Sequence, residues 1–283
     1  MSHIPLPSLN AVPKAWLTEL RGLLFDLDDT LLEHGRLLPE ALQALYALSA
    51  AGYRLFAVTG RPAAWGAIIT HQWPIDGAVT ENGAIALCRR DGPCRSDARD
   101  RSAEHAKDRR GRVVISDVLD VAARTARRAR LLEIVGALSR EFPELEPSDD
   151  VWQRVSDYTF DIGEYRHVSA DVVAKARQSA ARLGASTIAS SVHLHVSLDR
   201  ADKATGTLRL LRELFGADPM EALAQYAFIG DSDNDAACFS AFRLTFGVRN
   251  WTGRPTLPPR FVTAEPRARG FVEVARLLLS ART

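Results

Sequence analysis

The sequence predicts an α/β fold, a parallel sheet covered by helices on both faces, with a smaller α+β unit inserted into it. Three observations predict it. Short apolar runs alternate with helical periodicity up to about residue 83, and the same alternation returns from about residue 199. The stretch between, 84–198, has a different grammar: an arginine- and aspartate-rich segment, one long helical pattern and several short strand patterns. Strand–helix–strand order with short connections is what parallel βαβ units look like in sequence.

In order, Gly22–Phe25 is a short buried strand. Pro39 to Ala51 is a helix with Leu42, Leu45 and Leu48 on one side and Gly52 as its stop. Tyr53–Val58 is a second strand, ending in T-G-R-P, and Pro62 suits the first turn of a helix running to about His71. Gly77–Thr80 is a third strand. Arg89–Arg112 reads as a solvated loop or hairpin end, and a long helix follows from about Val118 to Arg140. Tyr158–Ile162 is a strand, Ser169 caps a helix that stops at Gly184, and Thr187–Ala189 and Val192–Leu198 are two strands around a turn at Ser190–Ser191. Asp202 then caps a helix ending at Gly216. Tyr226–Ile229, Leu244–Val248 and Phe261–Thr263 are strands, and Gly270–Ser280 is a closing helix. Residues 1–83 and 199–283 therefore form one α/β domain, and 84–198 an α+β insertion.

Composition bounds the rest. The 283 residues are 46% hydrophobic and 25% charged with formal net charge +1, ordinary for a globular chain. That balance predicts neither nucleic acid nor membrane as a partner. Cys88, Cys94 and Cys238 form no C-x-x-C pair and no zinc spacing, so a disulfide framework is not expected and a reducing cytoplasm fits. The first twenty residues lack the layout of a signal peptide, and no run of about 18 apolar residues exists. A monomer and a homodimer both remain open.

Two strands end in clustered carboxylates, in L-F-D-L-D-D-T-L-L (24–32) and I-G-D-S-D-N-D (229–235). Ligands of open parallel sheets bind beyond the carboxyl ends of the strands. If the two strands are neighbours, Asp26, Asp28 and Asp231 converge and repel one another. A hard divalent cation such as Mg²⁺ removes that problem. A carboxylate can also attack phosphorus, giving an aspartyl-phosphate, provided that cations and an acid/base stand beside it. Asp26 would attack, Asp28 would protonate the leaving oxygen and then activate water, Thr59 would hold a phosphate oxygen, Lys203 would supply positive charge and Asp231 would hold the metal. Taken singly, each motif reads as well as a turn, a cap or a solvated lysine. The acidic loop also fails the calcium-loop pattern, because apolar residues follow Asp235.

With these residues in this order, the sequence resembles the haloacid dehalogenase superfamily of phosphohydrolases. The four motifs are F-D-L-D-D-T-L-L (25–32), V-T-G-R-P (58–62), D-K-A-T-G (202–206) and I-G-D-S-D-N-D (229–235). The insertion falls between the second and third, with E-N-G-A (81–84) at its entry, as in the class IIB subgroup with an α+β cap. That subgroup includes Cof-type and sucrose-phosphate, trehalose-phosphate and mannosyl-phosphoglycerate phosphatases; T-F-G-V-R-N (245–250) and F-V-T-A (261–264) are also familiar from it. The resemblance implies a Rossmannoid core, a specificity cap over 84–198 and a small phosphorylated substrate, such as a sugar or polyol phosphate. It makes Asp26 the nucleophile and Asp28 the acid/base. Mg²⁺ is held by the side chains of Asp26 and Asp231 and the carbonyl of Asp28. Thr59, Gly60 and Lys203 bind phosphate, Asn234 is on the substrate side and Asp235 stands behind the metal ligands. The subgroup usually has glycine directly after the lysine; here Ala204 follows Lys203 and the glycine is Gly206.

In the insertion, V-H-L-H-V-S-L (192–198) puts Val192, Leu194, Val196 and Leu198 on one face and His193, His195 and Ser197 on the other. The apolar face should meet the helices of the insertion, leaving the histidines either over the substrate or merely solvated. Arg61 and Asn82 are further candidates for substrate contact. Arg154 and Arg166 are read as surface arginines, and Trp65, Trp73 and Trp152 as packing residues. A phosphomutase or phosphotransferase, and a non-catalytic module on the same fold, are the competing readings.

Overall fold

The structure is a computed structural model, and it describes residues 6–89, 113–117, 119–190, 192–251 and 257–282. The expected loop over Arg89–Arg112 falls outside these residues apart from Arg89, as does Ser191 of the expected turn.

After a short helix α1 (Lys14–Thr18), the chain enters β1 (Gly22–Phe25) and a single wide turn over Leu27–Leu31. A small hairpin follows, β2 (Leu32–Glu33) and β3 (Arg36–Leu37). Then come α2 (Pro39–Ala50), β4 (Arg54–Val58), α3 (Ala63–Gln72), β5 (Gly77–Thr80), β6 (Ile85–Arg89) and β7 (Val113–Asp117). The next stretch holds α4 (Val121–Glu141), β8 (Glu146–Pro147), β9 (Asp157–Asp161), α5 (Ala170–Arg182), β10 (Ser186–Ala189) and β11 (His193–Ser197). The last comprises α6 (Lys203–Phe215), α7 (Pro219–Gln225), β12 (Tyr226–Gly230), α8 (Ala236–Ala241), β13 (Leu244–Gly247), β14 (Phe261–Val262) and α9 (Arg267–Ser280).

The large sheet runs β14–β13–β12–β1–β4–β5–β6–β7, the first six strands parallel and the last two antiparallel. Both of its faces are apolar because its strands are buried on both sides. Leu23, Phe25, Leu55 and Ala57 face one core, completed by Leu45 and Leu48 of α2, Ile69 of α3 and Phe271 and Val274 of α9. Leu24, Phe56 and Val58 face the other, completed by Leu210 and Leu214 of α6, Ala222 of α7 and Phe239 of α8. Capping accounts for the helix limits. The Asp202 carboxylate accepts from Thr205 N–H at the start of α6, and Gly216 ends it in the left-handed region. The closing helix starts at Arg267, three residues before the expected Gly270.

The smaller sheet runs β10–β11–β9–β8, all antiparallel. Leu194 and Val196 pack with Leu131, Ile134 and Leu138 of α4 and Ala176 of α5, as the alternation in 192–198 requires. One boundary changes. The hairpin β6–β7 extends the large sheet, so the separate sheet begins only after Asp117, not at residue 84. The apolar run I-A-L-C finds its partners on β5, a pairing between strands that the local pattern does not specify. Cys88, inside that run, is disulfide-bonded, where no disulfide was expected from the cysteine spacing. Among the described residues no helix is long and apolar enough to cross a membrane.

The glycine displaced to position 206 has a packing reason. A Cβ on Gly206 would lie 2.4 Å from the Gly83 Cα, and one on Gly83, at φ +106°, would lie 2.0 Å from the Asp202 carbonyl oxygen. The first turn of α6 thus touches the backbone that leaves β5. Helix propensity favours alanine over glycine by about 1 kcal/mol, yet backbone atoms cannot rotate aside as a side chain would. Gly206→Ala should therefore lower stability by roughly 1–2 kcal/mol net, the overpacking cost outweighing propensity, as a reduced urea midpoint at unchanged slope.

Candidate active site

β1 and β12 are hydrogen-bonded neighbours, with Phe25 opposite Ile229. Asp26 and Asp231 therefore leave the sheet side by side at its carboxyl edge. Lys203, the first residue of α6, brings its ammonium to the same point. It donates to Asp26 Oδ1 at 2.6 Å, to Asp235 Oδ1 at 2.6 Å and to Asn234 Oδ1 at 3.2 Å, with its side chain wholly buried. Burial alone would depress the lysine, but the charges of Asp235 and Asp26 hold it above its ordinary value.

Carboxylate oxygens of Asp26, Asp231 and Asp235 lie within 4.8 Å of one another. Both oxygens of Asp235 are already engaged, Oδ1 by Lys203 and Oδ2 by the N–H groups of Asp231 and Ser232 at 2.9 and 3.2 Å. Asp235 thus supports the acidic turn with both oxygens, whereas Asp26 and Asp231 each keep an oxygen that could face a cation. Burial, with Asp235 and Asp28 adding and Lys203 opposing, pushes Asp26 up to about 7. Burial and the nearby Asp26 and Asp235 push Asp231 up to about 9. Two carboxylates held so far above their ordinary range fit a hard divalent cation with oxygen ligands.

Thr59, directly after β4, is fully buried, and its Oγ1 accepts from Arg61 N–H at 3.1 Å. Arg61 grips Asp28 with two bonds, Nε to Oδ2 at 2.9 Å and Nη2 to Oδ1 at 2.6 Å, and its guanidinium lies 4.1 Å over the Trp65 ring. The Asp28 carboxylate is thus held by Arg61 while its charge still acts on Asp26.

Across from this edge stands the inserted unit, and the two are joined by buried polar contacts. Glu81, at φ +49°, is 3% exposed and accepts from Ala63 N–H of its own unit. It also accepts from Val155 N–H at 3.0 Å, Ser156 N–H at 2.6 Å and Ser156 Oγ at 2.7 Å across the gap. Burial, then the charge of Asp157, raises its pKa. In the other direction Arg154 Nη1 donates to the Gly60 carbonyl at 2.9 Å while its remaining donors hold Asp150 and Asp157. Its side chain is 1% exposed, which corrects its reading as a surface arginine. Arg166 does sit at the surface, paired with Glu146. Trp65 and Trp73 pack against the core, whereas Trp152 is 91% exposed and packs on little.

The two histidines part company. His195 is buried, and its Nδ1 lies 2.8 Å from Asp157 Oδ2. Burial lowers its pKa against the pull of Asp157, so near neutrality it is uncharged, with Nδ1–H donated and Nε2 left as an acceptor. Burial would raise Asp157, but Arg154 and His195 outweigh it and hold the carboxyl down. His193 pairs instead with Glu164 at 2.8 Å. A cavity of about 210 Å³ is lined by Asn82, Asp157, His195, Ser197, Asp199 and Arg200 among others. Neither Asp26 nor His193 lines it. The charge chemistry belongs to the carboxylate cluster, and the cavity is its neighbour: a Cβ on Gly60 would lie 3.1 Å from Asn82 Oδ1 and 3.4 Å from His195 Cε1. Asn82 Oδ1 is buried without a hydrogen-bond partner, a costly state that a ligand donor would relieve. Asp157 escaped the sequence reading as a site residue; the Asp150, Arg154, Asp157 spacing was the available signal.

Residues 23–116 match the model of a family described as haloacid dehalogenase-like hydrolases. The matched stretch contains Asp26, Asp28 and Thr59, while Lys203 and Asp231 lie beyond it and are brought in by the fold. Similar solved structures include a Thermoplasma acidophilum protein, at 16% identity and TM-score 0.67 over 92% of this chain and 98% of that one. The sucrose-phosphatase of Synechocystis, solved with sucrose and phosphate, is 17% identical at TM-score 0.60 over 92% and 98%. A trehalose-6-phosphate phosphatase of Aspergillus fumigatus is 16% identical at TM-score 0.55 over 98% and 100%. At these identities the likeness is one of fold. No curated protein sequence matches the chain.

The raised carboxyls give the metal-free protein a pH signature. A carboxyl whose folded pKa lies above its unfolded value stabilises at low pH, and that contribution is lost as pH rises through the folded value. His195, depressed below 6.5, has the opposite slope, but only below that pH. Lys203 is charged in both states throughout. Between pH 7 and 9 the metal-free protein should therefore lose roughly 1–3 kcal/mol of stability, mainly through Asp231. Added Mg²⁺ should raise the melting temperature more at pH 9 than at pH 6; a flat profile in both conditions would dispose of the acidic cluster as a cation site.

Proposed function

We propose that this chain is a haloacid dehalogenase-like hydrolase, a Mg²⁺-dependent phosphomonoesterase acting on a small phosphorylated metabolite, a sugar or polyol phosphate, through an aspartyl-phosphate. The observation that carries this reading is the buried Lys203 ammonium bonded to Asp26 beside Asp231, at the carboxyl edge of a parallel sheet. One ammonium among three carboxylates, if all are ionised, leaves two negative charges, the charge of one divalent ion.

Asp26 and Asp231, with the Asp28 carbonyl, would hold Mg²⁺, whose charge would screen the phosphoryl oxygens from the attacking carboxylate. An Asp26 oxygen forms the bond to phosphorus as the bond to the ester oxygen breaks. Asp28, in its protonated form, gives that oxygen its proton. Water then attacks the aspartyl-phosphate and surrenders a proton to Asp28, which frees inorganic phosphate and restores both carboxyls. The Thr59 hydroxyl, the Gly60 backbone and Lys203 hold the phosphoryl oxygens. Arg61 grips Asp28 in the structure, and an incoming phosphate is a competing anion for the same guanidinium, releasing Asp28 for proton transfer.

Residues 119–198 would act as a cap over this edge, and the cavity beside Gly60 would receive the sugar. Asn82 Oδ1 and neutral His195 are both acceptors, which suits a ligand rich in hydroxyl donors. Asn234 stands behind Lys203, and His193, paired with Glu164, takes no part. The sucrose-phosphatase and the trehalose-6-phosphate phosphatase among the similar folds support a phosphorylated sugar.

The test is phosphate release across a panel of phosphorylated sugars, polyols, acids and nucleotides. Release should require Mg²⁺, cease with chelator and fall about a thousandfold or more in Asp26→Asn, as expected for loss of a nucleophile. Label retained on a sugar acceptor, together with a need for a bisphosphate activator, would instead make the protein a mutase. No turnover with Mg²⁺ bound and the fold intact would overturn the enzymatic reading.

A further inference from the structure

The loop that carries Asp26 and Asp28 is tied down at Asp29 by two residues far away in sequence. Asp29 sits in the left-handed region at φ +54°, and so does Arg267 at φ +48°, both without being glycine. The two strained residues belong to one ring of hydrogen bonds. Arg267 Nε donates to Asp29 Oδ1 at 2.8 Å, Asn250 Nδ2 donates to the Asp29 carbonyl at 3.1 Å, and the Arg267 N–H donates to Asn250 Oδ1 at 2.8 Å. Each residue is bonded to the other two, and Asn250 uses both ends of its amide.

The base of this ring is rigid. Arg267 opens α9, whose Ala268 and Phe271 are fully buried, and the Phe271 ring meets Phe25 of β1 edge to face at 5.5 Å. Residues in sparsely populated backbone regions persist only where their surroundings over-determine them, and such positions gather at functional sites. Here the strain adjoins the residue proposed to move the proton. With Asp29 pinned in the left-handed region, the backbone direction of its neighbour Asp28 is set.

We propose that Asn250 and Arg267 are positioning residues for the acid/base Asp28, acting through the fixed conformation of Asp29. This rests on the phosphatase reading above. Neither residue bonds to Asp26, Asp231 or Lys203, so neither is a catalytic residue.

The experiment measures kcat/KM of the full chain with Mg²⁺ on two substrates. One is p-nitrophenyl phosphate, whose leaving group departs with little need of a proton. The other is the sugar phosphate turned over fastest in the panel, whose alkoxide must be protonated as it leaves. Because kcat/KM reports through the first irreversible step, it isolates the protonation by Asp28. Asn250→Ala and Arg267→Gln should lower the sugar-phosphate value by about tenfold or more, part of what a well-placed general acid contributes. The p-nitrophenyl value should change by less than about threefold. Arg267→Lys, which keeps a donor for Asp29, should recover part of the loss. Equal falls on both substrates, or no fall on either in folded variants, would overturn the proposal. If the wild type releases phosphate from neither substrate, the phosphatase reading fails first and the positioning role with it.

Discussion

The buried ammonium of Lys203 is the point on which the site depends. A charge with no exposed side-chain surface is tolerable only where its partners are already in place. Those partners arrive on different elements: Asp26 after β1, Asp235 after β12, and the lysine itself on the first residue of α6. Strand order, helix capping by Asp202 and the turn after β12 must all be correct before the ammonium is satisfied. A buried charge network of this kind adds little net stability, but removing any one partner leaves an uncompensated buried charge and is strongly destabilising.

The second constraint is the junction between the two units. It is polar and buried at once, with Glu81 of the larger unit receiving donors from 155–156 and Arg154 of the smaller one donating to Gly60. At the two connections, Arg124 in the first turn of α4 bonds to Asp117 at the end of β7 and to Asp199 after β11. Such contacts orient through directional bonds. An apolar interface of equal size would tolerate sliding; the Gly60 carbonyl, shared with the proposed phosphate loop, does not.

Much of the architecture was legible because it rests on local rules. Strands buried on both faces are continuous apolar runs, and Asp202, Ser169 and Gly216 mark helix ends by the chemistry of unsatisfied backbone groups. The motif carboxylates were legible because acidic residues directly after apolar strands have little structural purpose. What escaped depends on partners distant in sequence. Nothing near Arg154 announces that Gly60 will accept from it. Nothing in I-A-L-C says that it pairs with β5 and so belongs to the larger sheet. The alternation of 192–198 correctly separates the apolar face from the histidine face, but it cannot distinguish His195, which meets Asp157, from His193, which meets Glu164.

The contact of Gly83 with Gly206 joins the backbone that leaves β5 to the first turn of α6, on either side of the β6–β7 pair and the insertion. Exit and re-entry of the intervening hundred-odd residues are thereby welded within the larger unit itself. The insertion then hangs from a closed frame, and its length and content are free to vary without shifting the lysine. A fold built in this way can exchange the part that recognises a ligand while keeping the part that handles charge, and the two bare glycines are what that interchangeability requires.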